Sequence, residues 1–474
     1  MSIISFKRLS KSLLKLGIKI SQANGVYQIS APHSDEPLAE ILLPENMPLE
    51  KKAIQQLCSF ATVTHPDGGM VKRALATPDF HSGSIVPVGA VVATTSDMVI
   101  PQAIGTDIHC GMRLHIIDVD YDYFMAQKEK FINLLKGDLL LGTRNIPTQI
   151  GIFKALFDGG IHACLEEYEK NPLAQMLKAS FTQLKEEAFK IFECNDEIGD
   201  SKFAPDYLTL NKRDVIRDSY LATLGGGNHF LEIQRVEQVF DKKMAFDLGV
   251  HKNKLAFMIH TGSRGLGQHI GGTWISKAKN LWPKGLKHPE SGIYPLHGEF
   301  AHQYLKALNT ASNYAKLNRL MIAEITRLRL REVFGSSVEA PLIHDAPHNI
   351  IFNENNCFVH RKGATPAFLN QPVLIPGSMG ALSYLMKGLG NESFLNSASH
   401  GAGRLMSRFD ISRKYKSGID VGLSCVECIT LKEERKIEEA PLAYKDINEV
   451  IGIQQNHGIV SPVASFKPIL TFKG

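Results

Sequence analysis

The residues able to do chemistry fall into separated clusters, each a mix of acid, thiol or imidazole with glycine or a strand end. "GTDIHCGMR" places Asp107 three residues before Cys110, with Gly111 next. "TLGGGNHFLEIQ" places His229 after Gly225, Gly226 and Gly227. An apolar run in "LAFMIHTGSRGLGQH" ends at His260, and another in "PLIHDAPHNIIF" leads to His348. Singly, each is ambiguous: a turn aspartate beside a buried cysteine or a hairpin histidine explains it as well. Together, Asp107, Cys110, His229, His260 and His348 make five potential ligands for one metal ion or two. A thiolate can bridge two ions. Carboxylate, imidazole and thiolate suit a transition metal better than Mg²⁺ or Ca²⁺, and softness alone favours zinc.

A second group is suited to anions. His400 lies in "SASHGAGRLMSR", flanked by small residues, with Arg404 four residues on. The glycines at 225–227 allow close backbone approach and can expose N–H groups. In strand geometry Asn228, Phe230 and Glu232 share one face and His229 takes the other. A carboxylate in so apolar a run needs a partner. Arg264 among glycines, and Arg361 and Lys362 in "HRKGATPA", are candidate phosphate contacts. There is no Gly-x-x-x-x-Gly-Lys-Ser/Thr loop and no strand–Gly-x-Gly-x-x-Gly–helix unit, so neither a P-loop nor a Rossmann turn holds a nucleotide. Cys425-x-x-Cys428 is a lone pair without the second pair of a zinc ribbon.

The elements that must position these groups read as strand and turn over 85–118 and 221–262 and from 341 onward. Helical patterning fills 121–200 and 296–335. The basic, apolar start, "MSIISFKRLSKSLLKLGIKI", reads as an amphipathic element, because Lys11 and Lys15 interrupt any signal-like core. The 474 residues are 44% hydrophobic and 21% charged, with a net charge of +5. That allows a polyanionic partner without requiring one. Seven cysteines without framework spacing point to a reducing compartment. No run reaches the length of a membrane span. The expectation is a soluble, cytoplasmic α+β protein with a strand-and-loop core interrupted by helices.

The whole set resembles the RtcB family of RNA-splicing ligases. The resemblance runs from about residue 65 to Gly474, through "PDFHSG", "GTDIHCGMRL", "LGGGNHFLEIQ", "IHTGSRGLG", "HNI", "HRKGATPA", "PGSMG", "HGAGRLMSR", "EEAPLAYKDI" and "KPILTFKG" in that order. It implies a single large domain over 1–474, built around a central metal and nucleotide cleft, with 1–64 matching poorly and 121–220 and 275–335 as helical insertions. It implies joining of an RNA 3′-phosphate or 2′,3′-cyclic phosphate end to a 5′-hydroxyl end, in RNA repair or tRNA splicing, with GTP and two Mn²⁺ ions. Manganese displaces zinc here because metal choice in a cell also depends on availability. By position, Asp107, Cys110, His229, His260 and His348 would hold the ions, with Cys110 bridging. His400 would carry GMP covalently. The guanylate pocket would comprise Asn228, His229, Phe230, Leu231, Glu232, His348, Asn349, Pro376, Gly377, Ser378, Met379, Ser383, His400, Gly401, Ala402, Gly403, Tyr444 and Lys473. Arg264, Arg361, Lys362 and Arg404 would meet phosphate or RNA.

Departures from the family pattern are local. "HSGSIVPVGAVVATT" lacks a glycine and an aromatic expected after His81-x-Gly83, "GGGNH" replaces Gly-Ser-Gly, and Pro366 stands where arginine is expected. Two alternatives to the ligase reading are a metal-dependent RNA phosphodiesterase or phosphatase on the same scaffold, and a nonenzymatic RNA-binding protein.

Overall fold

The computed structural model describes residues 6–34, 36–193, 198–210, 214–415, 422–423 and 426–474. Cys425, half of the Cys-x-x-Cys pair, lies outside them. Among the described residues, no helix is long and apolar enough to cross a membrane.

Two large sheets face the site. One runs, edge to edge, through Lys19–Ala23, Val26–Ser30, Ala39–Leu42, Val71–His81, Val88–Thr95, Cys357–Lys362 and Asn349–Glu354. The other runs through Leu342–Pro347, Gly111–Ile117, Leu255–Thr261, Phe230–Val239, Val460–Lys473, Ser383–Gly388 and Pro372–Ile375. The poorly matching N-terminal segment is thus structural: after an amphipathic helix, Phe6–Leu14, that buries Leu9 and Leu13, it extends the first sheet.

The second sheet explains why distant clusters meet. Gly111–Ile117 and Leu255–Thr261 are buried at every position, as apolar strands covered on both faces must be. They pair antiparallel, with Met112 opposite His260. Phe230 also lies opposite His260, and Pro347 lies opposite Gly111. The starts of Gly111–Ile117 and Phe230–Val239 therefore share an edge with the ends of Leu255–Thr261 and Leu342–Pro347. His348 then crosses directly into Asn349–Glu354 of the first sheet.

The expected insertion over 275–335 is in part core. Its helix, Gly298–Phe334, is buried without interruption from Thr310 to Arg327. Around it pack Tyr121–Leu139 and Ile150–Lys170, the latter burying Ile152, Phe153, Leu156, Phe157, Cys164, Leu165 and Tyr168 at helical spacing. Arg319 reaches from this helix to the site. Its guanidinium donates to both Asp345 oxygens (2.7–3.1 Å), to the carbonyls of His109 (2.9 Å) and Thr261 (3.0 Å), and all partners are buried. One buried cation thus ties together the loop of Asp107 and Cys110, the end of the His260 strand and the strand before His348.

Candidate active site

The five expected ligands converge. Cys110 Sγ lies 3.3 Å from His229 Nε2 and 3.2 Å from His260 Nε2. His260 Nε2 lies 3.2 Å from His348 Nε2, and His229 Nε2 lies 3.0 Å from Asp107 Oδ2. Two sets have ligand atoms all within 4.8 Å of one another: Asp107, Cys110 and His229, and Cys110, His260 and His348. Cys110 belongs to both. The donor set fits two cations sharing a thiolate, because its nitrogen, sulfur and carboxylate oxygen atoms face one another across two such groups. His229 Nδ1 donates to the Leu224 carbonyl at 2.9 Å, which turns Nε2 toward Asp107 and Cys110. Gly262 is required: a Cβ there would stand 2.5 Å from Asp107 Oδ1.

Charge follows the same pattern. Burial lowers His260 and His348 well below the ordinary imidazole value, and the neighbouring histidines add to it. Both are neutral, as ligands must be. Burial, reinforced by Asp107, pushes the Cys110 thiol up, whereas a bound cation would favour the thiolate. Burial would raise Asp107, but the charge and hydrogen bond of His229 hold it below the usual carboxylate range.

His400 follows the strand Ser397–Ser399 and stands beside this cluster, its ring centroid 4.7 Å from that of His348. It is not bare in space. Its Nδ1 lies 2.5 Å from Oδ2 of Asp79, a fully buried residue of the first sheet. Burial would raise the Asp79 carboxyl, but His400, Thr77 and Lys445 hold it below the usual range. An ionised carboxylate only accepts, so Nδ1 carries a proton, and in the neutral ring the lone pair is then on Nε2. Thr77 Oγ1 donates to the other Asp79 oxygen at 2.5 Å, and Lys445 Nζ donates to the carbonyls of Pro78 (2.8 Å) and Phe80 (2.7 Å). Gly403, at φ +76°, lets the loop after His400 pass: a Cβ there would stand 2.3 Å from the Asp79 carbonyl.

His400 opens on a cavity of about 250 Å³. Asn228, Phe230 and Glu232 line it while His229 turns to the ligand cluster, the alternation expected of a strand. Pro376, Gly377, Ser378, Met379, Gly401, Ala402, Gly403, Tyr444 and Lys473 also line it. Glu232 accepts from Thr471 Oγ1 (2.5 Å) and Gln234 Nε2 (2.6 Å), and burial raises it to about 7. Lys473 Nζ donates to the Gly227 carbonyl at 3.2 Å. Glu439 gathers Tyr444, Arg404 (3.3 Å), Arg408 (2.7 Å) and Lys473 (3.9 Å) into one wall.

Other expected contacts stand elsewhere. Leu231 points into the core. Ser383 lies behind the wall, accepting from Gly377 N (3.3 Å) and Gln234 Nε2 (3.2 Å). Asn349 braces the ligand loop, donating to the Asp107 carbonyl at 3.0 Å and accepting from Gly363 N at 2.9 Å. Arg361 is fully buried, and its guanidinium is committed to Glu354, Ser397 and Leu395, so its charge serves the fold. Lys362 donates to the Ile104 carbonyl at 2.6 Å, with Asp107 among the charges acting on it. Arg264 donates to Thr223 Oγ1 at 3.2 Å. Arg404 does line the cavity, but Glu439, Tyr444 and the carbonyls of Glu438 and Met406 already engage it. Asp79, in "PDFHSG", and Glu439 and Lys445, in "EEAPLAYKDI", carry no local signal of their roles. The missing signal was pairing between segments hundreds of residues apart.

Comparison with known proteins identifies the family. The family model described as "tRNA-splicing ligase RtcB" matches residues 56–474. The tRNA-splicing ligase RtcB of Nanoarchaeum equitans is 32% identical, over 85% of this chain and 89% of that protein. The RNA-splicing ligase RtcB homolog 1 of Entamoeba histolytica is 30% identical, over 98% and 93%. The RNA-splicing ligase RtcB of Mycobacterium tuberculosis is 32% identical, over 86% and 98%. The match spans the ligand cluster, His400 and the cavity alike, and the chain belongs to the RtcB family.

Proposed function

We propose that the protein is a GTP-dependent RNA ligase that joins a 3′-phosphate end to a 5′-hydroxyl end through GMP carried on His400. The observation that supports this most is the position of His400. One ring nitrogen is held by buried Asp79, and the ring stands between the ligand cluster and a cavity able to take a nucleotide.

The Nε2 lone pair of His400 attacks the α-phosphorus of GTP, and the bond to pyrophosphate breaks, its electron pair leaving with pyrophosphate. Asp79 holds the Nδ1 proton and stabilises the charge that develops on the ring. An oxygen of the RNA 3′-phosphate then attacks the same phosphorus and the P–N bond breaks, returning a neutral imidazole. The 5′-hydroxyl oxygen attacks the RNA phosphorus, its proton is lost, and GMP leaves. A 2′,3′-cyclic end is first opened by water to the 3′-phosphate. Two Mn²⁺ ions held by Asp107, Cys110, His229, His260 and His348 would neutralise charge on the phosphoryl oxygens. Glu232 and Lys473 supply the buried acceptor and donor that orient a purine edge. The cations around Glu439 give the wall a positive balance toward phosphate.

The test is joining itself. An RNA pair with 3′-phosphate and 5′-hydroxyl ends should be sealed only with GTP and Mn²⁺, releasing one GMP per junction. Sealing without nucleotide, or phosphate release without joining, would favour the phosphodiesterase or phosphatase reading.

A further inference from the structure

Beside the cavity lies a feature that the ligase chemistry leaves unused. The helix Arg408–Lys414 starts at the rim, where Arg408 lines the cavity and is held by Glu439 at 2.7 Å. Ser407 caps the helix by accepting from Asp410 N. Ile411 is fully buried and packs with Ala440 and Ala443, which fixes the rotation of the helix against the wall. Phe409 stands two residues from Ile411, about 200° around the axis, and points away from the wall. It is 73% exposed. One turn on, the Arg413 guanidinium lies 5.7 Å from its ring centroid, and Arg413, Lys414 and Arg408 are exposed.

We infer that Phe409 is a stacking platform for an unpaired base of the RNA end held at the cavity mouth, with Arg408, Arg413 and Lys414 on its phosphates. This rests on the ligase reading and adds a subsite to it. An exposed aromatic framed by cations is the combination that binds single-stranded nucleic acid without reading sequence, since every base offers a π-face. Position distinguishes Phe409 from equally exposed aromatics, because the adjacent Arg408 lines the cavity. Phe189 and Phe246 are 70% and 72% exposed, but their rings stand against His162 and His251, and neither they nor those histidines line the cavity. Asp410, the acid on the same turn, accepts from Ser407 Oγ at 2.6 Å.

The experiment uses the full chain and a single-stranded RNA pair carrying 2-aminopurine at the last nucleotide of the 3′-phosphate strand or the first of the 5′-hydroxyl strand. Stacking on Phe409 should quench one of the two probes on binding. Phe409→Ala should abolish that quench and weaken RNA binding roughly 5- to 30-fold, while Phe409→Trp should restore both. GMP labelling and thermal melting measured in parallel report on folding. Equal quenching and equal affinity in wild type and Phe409→Ala would overturn the platform. So would a loss of affinity that tryptophan does not restore, which would mark Phe409 as a contact for another protein or a packing residue. If wild type neither takes GMP nor joins RNA, the ligase reading fails, yet the quench still reports whether Phe409 holds a base.

Discussion

Asp79 and His400 are separated by 321 residues and joined by a 2.5 Å hydrogen bond. The carboxylate arrives from the first sheet and the imidazole from the loop after Ser397–Ser399, a strand that pairs with Ala364–Pro366, so the nucleophile is oriented only when both are assembled. Thr77 and Lys445 hold the Asp79 segment from behind. His400 is presented to the cavity as one tautomer before any nucleotide arrives.

Asp79→Asn should therefore fail in a specific way. The amide can donate to Nδ1, which moves the ring proton to Nε2 and removes the attacking lone pair. Transfer of GMP to the protein should fall by about 10²–10⁴-fold, while Mn²⁺ content stays that of wild type. An unchanged transfer rate would remove Asp79 from the mechanism.

Cys110 is common to both ligand sets, so Cys110→Ala should weaken both metal positions together. Elemental analysis after dialysis against Mn²⁺ should show loss of both ions. Retention of two ions per chain would contradict the shared thiolate.

Much of this site was legible in the sequence because its groups sit where local patterns change. An apolar run ends at His260, glycines precede His229, and another apolar run leads to His348. The alternation at Asn228, Phe230 and Glu232 was readable from period alone. What pairs across the chain was not. Asp79 looks like any turn acid, and Arg361 looks like a surface cation until the first sheet closes over it. The 298–334 helix reads as an insertion because it interrupts the strand-and-loop texture on either side of it. Arg319 in fact spends its charge inside, on Asp345.

Arg319→Leu tests that internal role. Removing the cation leaves the fully buried Asp345 carboxylate without its main partner, at a cost of about 3–5 kcal/mol. The midpoint of chemical unfolding should fall accordingly, and metal affinity should drop although Arg319 touches no ion. A variant that also carries Asp345→Leu should recover part of the stability. No recovery would show that the contacts of Arg319 with the carbonyls and of Arg113 with Asp345 (3.1 Å), not the Arg319–Asp345 charge pairing, hold the loops.

Glu232 makes the cavity pH-dependent. Burial raises its carboxyl from 4.5 to about 7. A raised value means that ionisation opposes folding: its favourable share is full below about pH 4.5 and is lost as pH climbs to 7, on the order of 3 kcal/mol. A purine edge that donates to the carboxylate reverses the preference in the complex. GTP affinity should strengthen from pH 6 to 8, and Glu232→Gln should flatten that slope. A slope that persists in Glu232→Gln belongs to another group.

The most direct test is to incubate the protein with GTP labelled at the α-phosphate and Mn²⁺, and follow the label through denaturation. The account predicts one covalent GMP per chain, labile to acid, stable to alkali and absent in His400→Ala. No adduct with any divalent metal, or an adduct that survives His400→Ala, would contradict it.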